Sequence, residues 1–246
     1  MKKILILGGT GEAVSLAERC QAQKDMSVIY SLAGRTRSPS LPNCEIRKGG
    51  FGGVEGLARY LQENDIAAVI DATHPYAAQM ATHARQAAME ISVAYYKFLR
   101  PAWREPEGAG WVHVSSAENA AEKIQNRFER VFLTSGLNDI AAFAELTAIW
   151  FLIRSIEEPS TPMPLHNFSH IKARGPFEQD GERALLLDHK IEAVVSKNSG
   201  GAATQAKLHA AHALSIPVIM IDRPPVIGGM VFEDQTRLIE QVRQDL

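Results

Sequence analysis

Residues 4–13 have the sequence Ile4-Leu5-Ile6-Leu7-Gly8-Gly9-Thr10-Gly11-Glu12-Ala13, in which an apolar run passes directly into a glycine-rich turn. A short uninterrupted apolar run of this kind is typical of a strand buried in a parallel sheet. A helix is predicted to follow at residues 12–23. The backbone amides at such a junction, aided by the helix dipole, favour a bound pyrophosphate. The predicted contacts are Gly8, Gly9, Thr10, Gly11 and Glu12.

The glycine motif is a variant of the usual dinucleotide-binding pattern. Ala13 and Val14 occupy the neighbourhood in which that pattern has its third glycine. The alternative interpretation is that the glycines only join the first strand tightly to its helix.

The rest of the chain alternates short apolar runs with segments of helical period, which is typical of α/β units with a parallel sheet. In the first half we predict strands at 3–7, 27–32, 44–47, 67–70 and 92–97, with helices at 12–23, 54–64 and 77–90. In the second half we predict strands at 111–114, 130–134, 150–154, 193–196 and 218–221, with helices at 117–128, 139–145, 179–189 and 201–214. Residues 157–167 are expected to form an exposed loop.

The pattern predicts two doubly wound, Rossmann-like α/β domains with parallel sheets in series and a cleft between them. The first domain is predicted at residues 1–99, a linker rich in Pro and Gly at 100–110, and the second domain at 111–246. A last amphipathic helix is expected at 233–245, and it can pack on either domain.

Composition excludes several classes of protein. Charged residues make up 22% of the 246 residues and the formal net charge is −2, so no overall field favours nucleic acid or a membrane surface. No stretch approaches the roughly 20 apolar residues that span a bilayer. Cys20 and Cys44 are too few for a disulfide framework and lack the spacing of a zinc site. We therefore expect a cytoplasmic protein without a metal, present as a monomer or weak homodimer.

The end of the second strand indicates which dinucleotide is bound. NAD-selective folds place an acid there to bind the ribose hydroxyls, whereas this chain has Ser31-Leu32-Ala33-Gly34-Arg35-Thr36-Arg37. A guanidinium at this position can pair with a 2′-phosphate, so Arg35 and Thr36 are predicted to select NADPH. The alternative is that Arg35 and Arg37 are solvated loop charges.

Three further segments supply candidate site residues. Thr73, His74 and Tyr76 follow the fourth strand and can contact the cofactor or donate a proton, although Pro75 equally suits a simple turn. The glycines at 49–53 permit a close backbone approach, or they form a flexible connector. Arg174 is expected to bind a carboxylate, or to be an ordinary surface arginine.

A second anion site is predicted at Lys197-Asn198-Ser199-Gly200-Gly201, where a strand again leads through a polar glycine turn to a helix. Lys197 offers a cation, and the side chains of Asn198 and Ser199 offer hydrogen bonds. The alternative is an ordinary helix cap at Ser199 with Lys197 in solvent.

Taken in order, several motifs of the chain resemble the precorrin-6A reductase family over nearly the whole length. They are Gly8-Gly9-Thr10-Gly11-Glu12-Ala13, Ala33-Gly34-Arg35-Thr36, Gly49-Gly50-Phe51-Gly52-Gly53, Asp71-Ala72-Thr73-His74-Pro75-Tyr76, Arg100-Pro101-Ala102-Trp103, Arg174-Gly175-Pro176-Phe177 and Lys197-Asn198-Ser199-Gly200-Gly201. The chain departs from the family pattern at Leu137, where that pattern has an arginine, so Leu137 is assigned no role.

The resemblance implies hydride transfer from NADPH to the precorrin-6A macrocycle, giving precorrin-6B in cobalamin biosynthesis. It leaves open whether the substrate is the cobalt-containing form, cobalt-precorrin-6A. A conjugated macrocycle is already electrophilic, so no metal or dedicated nucleophile is needed. We expect His74 and Lys197 to act in catalysis. The expected substrate contacts are Tyr76, Arg174, Lys197, Asn198, Ser199 and Gly200.

Two alternative functions suit the same glycine turn. A short-chain dehydrogenase or sugar-nucleotide epimerase would need a Tyr-x-x-x-Lys pair, which none of the tyrosines of this chain forms. A non-catalytic NADP(H)-sensing protein would keep the first glycine turn but would not need the second polar loop at residues 197–201.

Overall fold

The computed structural model of the chain describes residues 1–34, 39–226 and 228–246. They form two compact units, Met1–Pro101 with Pro224–Leu246, and Ala102–Arg223. The elements in chain order are β1 (Lys2–Leu7), α1 (Gly11–Gln21), β2 (Met26–Leu32), β3 (Glu45–Lys48), α2 (Gly53–Glu63), β4 (Ile66–Asp71), α3 (Ala78–Glu90), β5 (Ala94–Phe98), β6 (Trp111–Val114), α4 (Ala117–Ile124), β7 (Arg130–Leu133), β8 (Trp150–Ser155), β9 (Phe168–Lys172), α5 (Gln179–Asp188), β10 (Ala193–Lys197), α6 (Ala206–Ala213), β11 (Val218–Ile221), β12 (Met230–Phe232) and α7 (Gln235–Asp245).

The first unit contains a six-stranded sheet in the order β12-β5-β4-β1-β2-β3, and all neighbouring strands are parallel. Alternate residues of β1 enter different cores. Ile4 and Ile6 pack with α1 and α7, whereas Leu5 and Leu7 pack with α2 and α3. Helices therefore cover both faces, as an all-parallel sheet requires.

The second unit repeats this architecture with the order β6-β11-β10-β7-β8-β9, again parallel throughout. Its core includes Phe132, Leu152 and Val194 from the sheet, packed against Leu186 of α5 and Leu208 of α6. The two sheets confirm the predicted Rossmann-like α/β class.

The predicted domain boundaries differ from the two units. The predicted second domain, residues 111–246, runs too far, because the final segment from Pro224 belongs to the first unit. Leu238, Ile239 and Val242 of α7 are buried in the same core as β1. The predicted linker at 100–110 is also not a free connector, since Trp103 and Ala109 are buried in the core of the second unit.

Two strands were not predicted, and three predicted helices differ, of which the helix predicted at 117–128 ends earlier, at Ile124. β9 and β12 are edge strands with exposed or half-buried residues, so they lack the apolar signal of the central strands. The helix predicted at 139–145 is a 3-10 helix at Leu137–Phe143. The helix predicted at 201–214 starts late, at Ala206, because Gly200 and Gly201 have φ of 69° and 82°, outside the helical region.

Among the helices that the structure describes, none combines the length and apolar character needed to cross a bilayer.

Candidate functional site

The first unit brings two predicted loops together at one edge of its sheet. β1 lies between β4 and β2 in the sheet, so that β2 and β3 lie on one side of β1 whereas β4 and β5 lie on the other. This is the point at which the strand order reverses, where parallel α/β sheets bind ligands at the carboxyl ends of their strands. The turn at Gly8–Glu12 follows β1, and the loop at Asp71–Tyr76 follows β4.

Hydrogen bonds to β2 hold the beginning of the glycine turn. Gly8 N donates to Ser31 O at 2.9 Å, and Gly9 N donates to the Tyr30 hydroxyl at 3.1 Å. Gly8 is required by packing, because a Cβ there would overlap the Tyr30 ring. Thr10 then caps α1, since its hydroxyl accepts from Ala13 N at 3.1 Å.

Gly9 and Gly11 face open space. A Cβ built on either residue would meet no heavy atom within 4 Å. The φ of Gly9, +123°, itself calls for glycine, but Gly11 has no such constraint. The amides of Gly11 and Glu12 lie in the first turn of α1, where no helical carbonyl is available to accept them. The turn therefore has the form of a cradle in which a phosphate can approach the backbone closely.

Glu12 adds a negative charge at this cradle, and an arginine neutralises it. Arg100 Nη1 lies 2.7 Å from Glu12 Oε2, and both side chains are partly buried. A lone carboxylate beside the N-terminus of α1 would repel a phosphate, so the ion pair makes Glu12 compatible with an anionic ligand.

A buried polar network underlies the loop after β4. Asp71 is fully buried, and its Oδ1 accepts from Thr73 N at 3.0 Å and from the Thr73 hydroxyl at 2.6 Å. Its Oδ2 accepts from the Tyr95 hydroxyl at 2.9 Å and from Lys97 Nζ at 2.8 Å. Burial, together with the Asp71 charge and its hydrogen bond, raises the pKa of Tyr95 far above its ordinary value. The network therefore holds a neutral tyrosine and an ion pair of Asp71 with Lys97.

A depression open to solvent lies between the cradle and this network. Its lining residues are Thr10, Glu12, Ala72, Thr73, Pro75, Phe98, Leu99 and Arg100. Thr10 and Thr73 face it from the two loops, and the Thr10 hydroxyl also lies 3.4 Å from Ala72 O. His74 and Tyr76 are half-buried, and in sequence they follow the lining residues Thr73 and Pro75. Their ring centroids lie 5.7 Å apart, and Tyr76 N lies 3.4 Å from His74 Nδ1.

The glycine loop after β3 is anchored by Arg47. Its Nη1 donates to Gly49 O at 2.6 Å and its Nη2 to Gly50 O at 2.8 Å. The guanidinium also lies 3.6 Å from the centroid of the Phe51 ring. These contacts favour a held turn over a flexible connector. Arg35 and Thr36, the predicted contacts for a 2′-phosphate, lie outside the described residues.

In the second unit, Lys197 is already paired with a carboxylate. Lys197 Nζ lies 2.7 Å from Asp139 Oδ2, which belongs to the 3-10 helix after β7. The alternative of a helix cap at Ser199 is wrong, because the residue before α6 is Gln205. Ser199 N instead donates to Lys197 O at 2.7 Å within the loop, and Gly200 is buried.

Asn198 is buried and holds the segment that contains Trp103. Asn198 Oδ1 accepts from Trp103 N at 2.8 Å, and Asn198 Nδ2 donates to Trp103 O at 3.2 Å. Arg223 reinforces the same loop, since its Nε donates to Asn198 O at 2.7 Å and its Nη2 to Ser199 O at 3.0 Å. These contacts give Asn198 a structural role in the second unit.

Arg174 is exposed at the end of β9. The turn that follows packs on the segment after Gly201: a Cβ on Gly175 would overlap the Ala203 carbonyl oxygen, and Phe177 N donates to that oxygen at 3.1 Å. Arg174 is thus carried on a fixed turn.

Sequence reasoning did not include several residues that the structure places in contact with candidate site residues: Asp71, Lys97, Arg100 and Asp139. A signal for the first pair was present, because each is a charged residue at the end of a buried strand, and such charges are paired. Asp139 had no comparable signal, because the geometry that brings it to Lys197 comes from the sheet order.

These features define a Rossmann-like α/β protein with an open glycine cradle at the point where the strand order of its first sheet reverses. A model of the family described as "Precorrin-6x reductase CbiJ/CobK" matches residues 3–243. The chain belongs to this family and is an oxidoreductase.

Individual relatives agree with the family match. The chain is 46% identical over 226 residues to the precorrin-6A reductase of Rhodococcus erythropolis, covering 92% of this chain and 91% of the relative. It is 43% identical over 234 residues to that of Mycobacterium tuberculosis, covering 95% and 94%. A solved structure named CobK precorrin-6A reductase superposes with a TM-score of 0.93 at 38% identity, covering 100% of this chain and 97% of the other.

Proposed function

We propose that the protein is a precorrin-6A reductase of cobalamin biosynthesis, which transfers a hydride from NADPH to the precorrin-6A macrocycle and gives precorrin-6B. The family establishes a reductase, and reductases of this class draw the hydride from a nicotinamide cofactor. The observation that carries the proposal is the open cradle at Gly9 and Gly11, where neither glycine is filled by protein and the N-terminus of α1 faces the space.

The fold of the first unit indicates how the two halves of the cofactor are oriented across its sheet. Its pyrophosphate is assigned to Gly8, Gly9, Thr10, Gly11 and Glu12, at the N-terminus of α1. The ribose of the adenosine half is recognised at the end of β2 in this architecture, which assigns the 2′-phosphate to Arg35 and Thr36. The nicotinamide half then lies on the opposite side of β1, over the ends of β4 and β5, where Thr73 lines the depression.

The substrate carries several carboxylates, which require cationic and hydrogen-bonding groups. Tyr76 in the first unit, with Arg174, Lys197, Asn198, Ser199 and Gly200 in the second, remain the proposed contacts. His74 and Lys197 remain the proposed catalytic residues. For Lys197 the ion pair with Asp139 supports a fixed ammonium that orients the substrate.

A cytoplasmic location and a monomer or weak homodimer belong to the same proposal. The net charge of −2 and the pair of isolated cysteines support it.

The test is anaerobic incubation of the purified protein with precorrin-6A and NADPH, followed by mass spectrometry of the tetrapyrrole. We expect a gain of a pair of hydrogen atoms together with stoichiometric oxidation of NADPH, and no change when NADPH is omitted. A parallel incubation with cobalt-precorrin-6A measures the preference for the cobalt-free substrate. Preferred reduction of the cobalt form would show that the protein is a cobalt-precorrin-6A reductase instead. Tight binding of NADPH without oxidation by either tetrapyrrole would instead favour an NADP(H)-sensing protein.

A further inference from the structure

We infer that Thr73 acts as a hydrogen-bond acceptor for the amide NH₂ of the nicotinamide carboxamide, and that Asp71 and Lys97 are positioning residues that fix this polarity. The inference rests on the proposed function and deepens it. It assigns to a particular hydroxyl the task of orienting the reacting ring.

The hydrogen atoms of the network can be accounted for one by one. Asp71 is fully buried and lies 2.8 Å from the Lys97 ammonium, so it is present as a carboxylate, which can only accept. The Thr73 amide and the Thr73 hydroxyl both point at its Oδ1, at 3.0 Å and 2.6 Å. A hydroxyl has one hydrogen to donate, and that of Thr73 is therefore committed to Asp71.

Lys97 reinforces this polarity. Its ammonium has only donors, and it lies 3.4 Å from the Thr73 oxygen as well as beside Asp71. If the Thr73 hydroxyl turned to donate to a ligand, the buried Asp71 carboxylate would lose one of its hydrogen-bond donors. The Lys97 ammonium could not accept that hydrogen, because it has only donors. Loss of a hydrogen bond to a desolvated charge costs more free energy than loss of one to a neutral group. Thr73 therefore offers incoming ligands a lone pair and no hydrogen.

An acceptor at this place selects the chemistry of its ligand. Thr73 lines the depression between the cradle and the ends of β4 and β5, the side assigned to the nicotinamide. Phosphate and carboxylate oxygens are acceptors too, so they gain nothing from Thr73. The carboxamide NH₂ is a donor on the nicotinamide ring, and its capture by Thr73 would fix the rotation of that ring relative to the acceptor carbon.

Equilibrium binding measured by calorimetry tests the inference without a turnover assay. The probes are NADPH and its reduced 3-acetylpyridine analogue, in which a methyl ketone replaces the amide and removes the NH₂. We expect the native protein to bind the analogue about tenfold more weakly than NADPH, as for the loss of one hydrogen bond. Equal affinities for the two probes would overturn the inference, and this arm needs no variant.

Variants then locate the acceptor. Thr73→Val should weaken NADPH about tenfold while changing analogue binding less than about twofold, and the matched control Thr73→Ser should retain the preference for NADPH. Tyr95→Phe removes a different donor from Asp71 and should leave that preference intact. An equal loss of both probes in Thr73→Val would show a structural effect and overturn the inference, with the proposed function intact. Failure of the native protein to bind either probe would instead overturn the proposed function.

Discussion

The two units share a topology but differ at the place where each sheet reverses. In each, a core of five strands has the same order, β3-β2-β1-β4-β5 in the first unit and β9-β8-β7-β10-β11 in the second. The sixth strand comes from the end of the chain in the first unit, as β12, and from the preceding segment in the second, as β6.

The turns after the central strands explain why only the first unit is assigned the dinucleotide. After β1 an α-helix starts at Gly11 with a threonine cap and an open cradle. After β7 the chain enters a 3-10 helix, and Asp139 on it neutralises Lys197. A shared strand order therefore does not imply a shared site. The open helix N-terminus distinguishes the turn after β1 from the turn after β7, because its amides are oriented as an anion needs.

The largest expected effect comes from breaking a buried ion pair in each unit. Asp71→Ala strands the Lys97 ammonium, and Glu182→Ala strands Arg154, whose guanidinium makes bonds of 2.5 and 2.8 Å to Glu182. Each should lower the free energy of unfolding by about 3–5 kcal/mol. Urea denaturation measures this. NADPH affinity of the folded fraction should fall only for Asp71→Ala, and an equal fall for Glu182→Ala would remove the functional distinction between the units.

Lys207 gives the second unit a pH dependence. Burial, then the charge of Arg154, lowers the pKa of Lys207 from 10.5 to about 7, with Glu182 opposing in part. Between these values the unfolded chain binds more protons than the folded one, so this group makes the native state more stable as pH rises from about 7 towards 10.5. Lys207→Met should remove that rise, an effect of up to a few kcal/mol at roughly 1.4 kcal/mol per pKa unit. Urea unfolding at pH 7 and pH 9 compares the two proteins, and parallel pH profiles would contradict the shifted pKa.

Arg35→Ala tests the cofactor preference assigned to the first unit. Loss of a charge-assisted contact with the 2′-phosphate should weaken NADPH binding about 10–100-fold and leave NADH nearly unchanged. Arg37→Ala is the matched control and should have the smaller effect. Calorimetric titration with both cofactors measures the ratio of NADPH to NADH affinity. Equal losses for NADPH and NADH would contradict the assignment of the 2′-phosphate to Arg35.

The smallest expected effects come from one glycine in each unit. Gly11→Ala places a methyl group where no protein atom lies within 4 Å, so the fold should be unaffected while NADPH binding weakens about tenfold by crowding of the phosphate. Gly136→Ala should do the reverse. Its φ of +94° disfavours alanine by about 1–2 kcal/mol, and no cofactor is assigned to its turn. Thermal unfolding and calorimetry together separate the two outcomes. Weaker NADPH binding in Gly136→Ala, with unchanged binding in Gly11→Ala, would contradict the assignment of the dinucleotide to the first unit.

The central strands and the glycine turn could be predicted because their signals are local. Ile4–Leu7 is an apolar run that ends in glycines, and both neighbours of β1 in the sheet are similarly apolar. β12 and α7 could not be assigned to a unit, because their partners are distant in sequence and α7 has an apolar stripe that fits any complementary surface.

The candidate site was predictable only in part. Thr73 could be proposed from its place after a strand, but its polarity depends on the buried Asp71 carboxylate and on Lys97, which comes from the neighbouring strand. Asn198 could be proposed as a ligand contact from its sequence, but its two hydrogen bonds to the backbone of Trp103 could not be predicted. Such pairings arise from strand order, and a local pattern does not contain them.

Hydrogen–deuterium exchange with and without NADPH tests most directly whether the first unit alone holds the dinucleotide. Bound phosphates would protect the amides of the cradle, and the nicotinamide those of the loop after β4. We predict protection at residues 8–14 and 71–76, with exchange at residues 134–139 unchanged. Protection at 134–139 with unchanged exchange at 8–14 would contradict the account.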